Sequence, residues 1–192
     1  MNVKKYYFPG CRLKNAFPEA SRRLALYMEQ VHGLKAQGCC KTDYPLLVEE
    51  NTAAVVICNN CIHDISERVE NCTFEYVLDY INNDPDFAYP DYAGREFVLQ
   101  DCGYGYDDHE ADPVVRELLA KMHVKVKELS PEARPYAGIS HKEHSALVAK
   151  NANGFAETDV VCYCGICRLA MSKAGKNSRH IVELLFMRPD EI

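Results

Sequence analysis

The ten cysteines of this 192-residue chain are unevenly spaced, and the first five carry the clearest chemical signal. They are Cys11, the adjacent pair Cys39 and Cys40, and Cys58 and Cys61, which bracket Asn59 and Asn60. Thiolates hold iron and zinc strongly, and a Cys-x-x-Cys turn brings two of them onto one metal or cluster without bending the backbone elsewhere. Joined to a vicinal pair and a glycine-preceded cysteine, the motif reads as a frame for a soft metal centre. A structural zinc site closes with four ligands, and a cubane iron-sulfur cluster takes four cysteines. The fifth thiolate is then a spare ligand, a redox partner or a sign of unusual cluster connectivity. Adjacent cysteines close a strained ring, so Cys39 and Cys40 are poor candidates for a mutual disulfide.

These residues need elements to hold them. Lys4 to Phe8 reads as a strand that Pro9 and Gly10 end, leaving Cys11 at its carboxyl end. A helix with Pro18 in its first turn carries Leu24, Tyr27, Met28 and Val31 on one face, and Gly33 closes it. Leu34 to Ala36 reads as a second strand leading to Gly38, Cys39 and Cys40, and Asp43 to Glu50 as a short helix. Ala53 to Ile57 is a continuous apolar run, which suits a strand covered on both faces of a parallel sheet. Cys58 follows it, Asn59 and Asn60 suit a chelating loop, and helices are expected over Ile62 to Val69 and Phe74 to Ile81.

A turn-rich stretch over 83–94 reads as a linker in which Phe87, Tyr89 and Tyr92 pack across the surface. Beyond it the pattern restarts. Glu96 to Gln100 is a strand ending near Cys102, and Pro113 opens a helix with Val114, Leu118, Leu119 and Met122 on one face. Lys125 to Leu129 and Asp159 to Cys162 are further strands, His141 to Asn151 is a helix, and Cys164 and Cys167 lie in a loop before a helix from Arg168. An apolar stretch from His180 to Phe186 completes the chain. Cys11 answers to Cys102, Cys58 to Cys164 and Cys61 to Cys167, while Leu78 and Leu184 each lie seventeen residues after the last of these. An internal repeat follows, with lobes at 1–82 and 95–192. Strands alternating with helices predict an α/β fold of two pseudo-repeated Rossmann-like lobes, each a small parallel sheet flanked by helices, with functional groups at the carboxyl edges.

The frame of Gly10-Cys11, Gly38-Cys39-Cys40 and Cys58-Asn59-Asn60-Cys61, with its diverged second copy, resembles the cysteine-rich CCG domain found in heterodisulfide reductase. The same domain occurs in iron-sulfur subunits of glycolate oxidase, lactate-utilisation and anaerobic glycerol-3-phosphate dehydrogenase complexes. The resemblance spans nearly the whole chain. It implies that Cys11, Cys39, Cys40, Cys58 and Cys61 hold a four-iron, noncubane iron-sulfur cluster. It also implies reduction of a small disulfide, or relay of electrons within a multi-subunit oxidoreductase with ferredoxin-like or flavin-containing subunits. Two departures stand out: only seventeen residues separate Cys40 from Cys58, fewer than is usual in the family, and the second copy lacks its vicinal pair. The alternative is a non-catalytic module holding zinc or a labile cluster in a structural, sensing or assembly role.

Cys102, Cys162, Cys164 and Cys167 offer a second set of ligands for zinc or a second cluster, the alternative being relic cysteines in a lobe kept for packing, with Cys162 readable as a buried strand residue. His63, just after Cys61, is read as a surface residue, and His141 and His144 as solvated, because they lack the acidic partner of a zinc-hydrolase motif. Cys72 has no pattern and reads as a small core residue. Gly103 to Tyr106 lacks the lysine and hydroxyl of a phosphate loop, and the acidic run from Asp107 to Asp112 reads as a solvated helix start. A formal charge of -6 argues against nucleic acid, and no apolar run is long enough to span a membrane. With 47% hydrophobic and 26% charged residues the chain is globular, and without a secretory signal it is expected in the cytoplasm, where cysteines serve metal binding, redox chemistry or burial.

Overall fold

A computed structural model describes residues 3–38, 52–57, 59–100, 111–128 and 141–192. The fold is mixed α/β and divides into two compact units, Met1–Pro85 and Asp86–Ile192. Each is a Rossmann-like lobe built on a sheet whose described strands are all parallel.

The first lobe holds β1 (Lys5–Phe8), β2 (Ala53–Val56) and β3 (Thr73–Tyr76) in that spatial order, with Tyr7 opposite Val55 and Ala54 opposite Phe74. Its helices are α1 (Cys11–Ala16), α2 (Pro18–His32), α3 (Asn59–Ser66) and α4 (Val77–Asn82). The central strand β2 is fully buried, as an apolar strand covered on both faces must be. On α2 the inward stripe is Ser21, Leu24 and Met28; Val31, expected on this face, is 54% exposed. Gly33 ends the helix in the left-handed region at φ 68°, donating to Glu29 O while the next N–H reaches Met28 O.

Three sequence expectations change here. Leu34 to Ala36 contributes a single parallel bridge, Tyr7 to Ala36, because Leu34 is still tied to the end of α2. Phe74 to Ile81 is not one helix: Thr73–Tyr76 adds to the sheet edge as β3 and the helix starts at Val77. A short apolar run fits both periods, and pairing with β2 decides between them. Finally α3 starts at Asn59, so Cys61 lies in the first helical turn and not in a loop before Ile62. The region Asp43 to Glu50 lies outside the described residues.

The second lobe holds β4 (Glu96–Gln100), β5 (Lys125–Glu128), β6 (Asp159–Cys162) and β7 (Asn177–His180) in the order β5-β4-β6-β7. Its helices are α5 (Ala111–Lys121), α6 (His141–Ala152), α7 (Gly165–Lys173) and α8 (Ile181–Phe186). On α5 the buried residues are Val115, Leu118 and Leu119, so Val115 replaces the expected Val114, and α6 lies against α7. The segment from Asp86 packs within this unit: Phe87 stacks edge-on against Phe186, and the Tyr92 hydroxyl donates to Leu184 O at 3.0 Å.

The two lobes repeat one plan. The Ala36 bridge, β1, β2 and β3 correspond in order to β5, β4, β6 and β7. In each lobe the helix after the central strand has a buried cysteine as its third residue, Cys61 in α3 and Cys167 in α7. The equal spacing of Leu78 and Leu184 is not a structural match, since Leu78 is second in α4 whereas Leu184 is fourth in α8. The connection from α7 to β7 is shorter than that from α3 to β3.

The face assignment on α2 is testable by urea denaturation. Leu24→Ala is expected to cost about 2–5 kcal/mol, and Val31→Ala, on the exposed side, less than about 0.5 kcal/mol.

Candidate metal centre

The central strand β6 ends at Cys162, after which the chain turns through the buried Tyr163 into α7. Cys164 caps that helix with extended backbone, φ -120° and ψ 127°, and its carbonyl accepts from Arg168 N at 3.0 Å. The helix begins at Gly165, three residues before the expected Arg168, so Cys167 occupies the first turn. Residues three apart across a helical turn share a face, which brings the two thiols together.

The third member comes from α6. His144, Val148 and Ala152 recur at helical spacing and are all buried, and this stripe carries the imidazole inward. His144 is therefore not solvated, as its sequence context suggests; it is fully buried. Its Nε2 lies 3.0 Å from Cys167 Sγ. The donor atoms of His144, Cys164 and Cys167 all lie within 4.8 Å of one another, with Cys164 half-buried and the other two closed off from solvent. His141 opens α6, but its side chain lies outside the described set.

This donor set could supply three of the ligands of a metal ion. Zinc sits about 2.3 Å from thiolate sulfur and about 2.0–2.1 Å from imidazole nitrogen, so donors around one ion are separated by roughly 3–4 Å. The His144–Cys167 separation of 3.0 Å lies at the short end of that range, and the remaining separations are within 4.8 Å. Two thiols and an imidazole are also the ligand types that zinc and iron select.

A second layer braces the first. Arg168, next to Cys167, pairs with Glu183 at 3.3 Å, and the Glu183 carboxylate also accepts from His180 N at 2.7 Å. Ser178 Oγ donates to Arg168 O at 2.8 Å, tying α7 to β7. His180 Nδ1 accepts from Val182 N at 3.3 Å, capping α8, and its ring also hydrogen-bonds the Tyr163 backbone just before Cys164. Burial pushes the His180 pKa from 6.5 down to about 4, against the smaller opposing effect of Cys164. Gln100, Cys162 and His180 form one buried row across β4, β6 and β7, where the first lobe has Phe8, Val56 and Tyr76.

Of the second set of cysteines, Cys164 and Cys167 are brought together. Cys162 stands outside the group in β6, where burial holds its thiol well above the ordinary range. Cys102 lies outside the described residues, as do Gly103 to Tyr106 and Asp107 to Glu110.

In the first lobe Cys11 is the first residue of α1, half-buried just past β1, and Cys61 is buried in α3 just past β2. Both stand beyond the carboxyl ends of parallel strands, which the strand pattern of the sequence predicts for Cys11. Cys39, Cys40 and Cys58 lie outside the described residues. The Tyr7 hydroxyl is buried with no hydrogen-bond partner among the described residues, and burial, then Cys61, raises its pKa. His63 faces solvent and pairs with Glu67 at 3.4 Å. Cys72, expected in the core, is only half-buried just before β3, with Sγ 3.5 Å from Thr73 O. Among the described residues no helix is long and apolar enough to cross a membrane.

The depressed His180 pKa fixes the sign of a pH effect. An unfolded histidine takes up a proton as pH falls below about 6.5, whereas the folded one resists until about 4, so folding stability drops across that window. Between about pH 7 and pH 5 the wild type should lose roughly 2 kcal/mol more than His180→Asn, whose side chain keeps a capping acceptor. Urea titrations at the two pH values measure the difference.

No protein-family model and no curated protein matches this chain.

Proposed function

We propose that this chain is a two-lobed thiolate metalloprotein of the redox type. In this reading the second lobe holds a metal ion through Cys164, Cys167 and His144. The first lobe holds, through Cys11, Cys39, Cys40, Cys58 and Cys61, an iron-sulfur cluster like that of the heterodisulfide reductase CCG domain it resembles. The observation that carries the proposal is the buried convergence of one imidazole and two thiols at the carboxyl edge of the second sheet. The like placement of Cys11 and Cys61 in the first lobe supports the same use of that edge.

A bound iron-sulfur cluster supplies one-electron transfer, with the option of binding a disulfide sulfur at iron. The chain's own residues do the rest. The apolar strands exclude water beneath the ligands, and the first turns of α3 and α7 hold Cys61 and Cys167 with the positive helix end beside them, which favours thiolate. Electrons would come from ferredoxin-like or flavin-containing partner subunits, and the product would be a reduced disulfide or a reduced partner. A zinc-only structural or sensing module is the second reading, and the imidazole in the second-lobe set favours it for that lobe.

Metal and sulfide analysis of anaerobically purified protein tests both. The expected result is about four irons with matching acid-labile sulfide, lost in Cys58→Ser, and a further metal ion lost in His144→Ala or Cys167→Ser. Zinc without sulfide would leave only the structural reading. Equal losses from Cys72→Ser would overturn the ligand assignment.

A further inference from the structure

The thiols of Cys164 and Cys167 differ sharply in access. Cys164 is half-buried at the cap of α7 and keeps part of its surface in solvent, whereas Cys167 is closed off and touches His144. Neither is in a disulfide, their sulfurs lie within 4.8 Å, and they face each other across one helical turn. A fully formed disulfide needs sulfurs about 2.0 Å apart, a gap that side-chain rotation at a helix cap can close. An outer thiol that meets a substrate, an inner thiol behind it and a base on the inner one are the parts of a dithiol exchange centre.

We propose that, when no metal holds them, Cys164 and Cys167 reduce external disulfides by thiol-disulfide exchange. The Cys164 thiolate attacks one sulfur of the substrate disulfide. A bond forms from Cys164 Sγ to that sulfur, the substrate S–S bond breaks, and the departing thiolate leaves as a thiol with the proton that Cys164 released. Cys167 then passes its proton to His144 Nε2 and attacks Cys164 Sγ. The mixed disulfide breaks, and the second substrate thiolate leaves with the proton from His144. One substrate disulfide and two protein thiols become two substrate thiols and one protein disulfide, so two electrons pass from the cysteine pair to the substrate. Two equivalents of an external thiol reset the pair: the first opens the protein disulfide to a mixed disulfide, the second attacks its outer sulfur, and both protein thiols and one external disulfide result.

Among the described residues the group that converges on His144 contains these two sulfurs. Cys162 is the nearest competitor in sequence, but it is fully buried in β6 and lies outside the group. The positive end of α7 favours a thiolate at its cap. The exchange does not rest on the metal reading, because it requires only the two thiols and His144; metal content measured before stripping scores that reading separately.

The test uses the full chain, stripped with a chelator, confirmed metal-free and mixed anaerobically with oxidised glutathione or, in a parallel arm, a disulfide-cyclised peptide. Differential alkylation and mass spectrometry of the tryptic peptide ending at Arg168 read the outcome. Wild type should form the Cys164–Cys167 disulfide at least about tenfold faster than Cys11 or Cys72, also half-buried, acquires glutathione. Cys167→Ser should trap glutathione on Cys164, Cys164→Ser should abolish closure, and His144→Gln should slow closure about 100-fold. Reaction with both probes extends the substrate class to peptide disulfides, and reaction with glutathione alone limits it to small ones. Folding of each variant is checked by circular dichroism, and if Cys167→Ser does not fold, the wild-type rate ratio decides. Reaction with neither probe, or modification of Cys164 no faster than of Cys72, overturns the proposal.

Discussion

An imidazole and a thiol taken out of water are costly unless each finds a polar partner, and in the second lobe His144 and Cys167 find one another at 3.0 Å. That contact constrains its surroundings. It requires α6 to lie against α7 with one stripe inward, so Val148 and Ala152 are buried with the histidine. It requires α7 to begin directly after β6, because a later start would carry Cys167 off the first turn. The same start leaves Cys164 at the cap, on the rim between solvent and interior. Whether a metal or a second sulfur becomes the partner of Cys164, the groups are set beforehand by packing.

The bracing around this contact is polar and buried, which makes it directional. Glu183 holds both Arg168 and the amide of His180, so one carboxylate fixes the start of α8 and the residue after Cys167. The pair is 14% and 9% exposed, and breaking a pair buried to that extent by removing one partner leaves the other charge stranded. His180 ties the cap of α8 to the backbone before Cys164. Three hydrogen-bonding side chains thus link β7 and α8 to the two ends of the Cys-x-x-Cys turn.

Much of the architecture was legible because apolar periodicity states it directly. Ala53 to Ile57 reads as a buried strand and Asp159 to Cys162 as a strand, and the structure has β2 over Ala53–Val56, fully buried, and β6 over Asp159–Cys162, while Gly33 closes α2 as a left-handed cap. β7 was not legible: Asn177-Ser178-Arg179-His180 is polar, and only its pairing with β6 makes it a strand. Phe74 to Tyr76 failed the other way, since its apolar residues fit a helix until β2 offers a ladder. Local preference yields where a neighbouring strand satisfies the backbone.

The site was half legible for a related reason. Cysteines announce themselves by spacing, so Cys164 and Cys167 stand out in the sequence, but a histidine is ambiguous until its face is known. Read beside His141, His144 looks solvated; the informative relation is to Val148 and Ala152, four and eight residues on. A polar residue on an apolar stripe has either to point at a partner or to destabilise the helix packing, so the stripe itself is the signal. The same reasoning applies to Tyr7 in the first lobe. Its hydroxyl is buried on a central part of β1 where the second lobe has Leu99, and Cys61, the counterpart of Cys167, lies close enough to influence it. In both lobes, then, the cysteine in the first turn of the helix after the central strand has a buried polar side chain in its surroundings. The chemical identity of that side chain, imidazole in one and phenol in the other, is where the two copies of the fold part company.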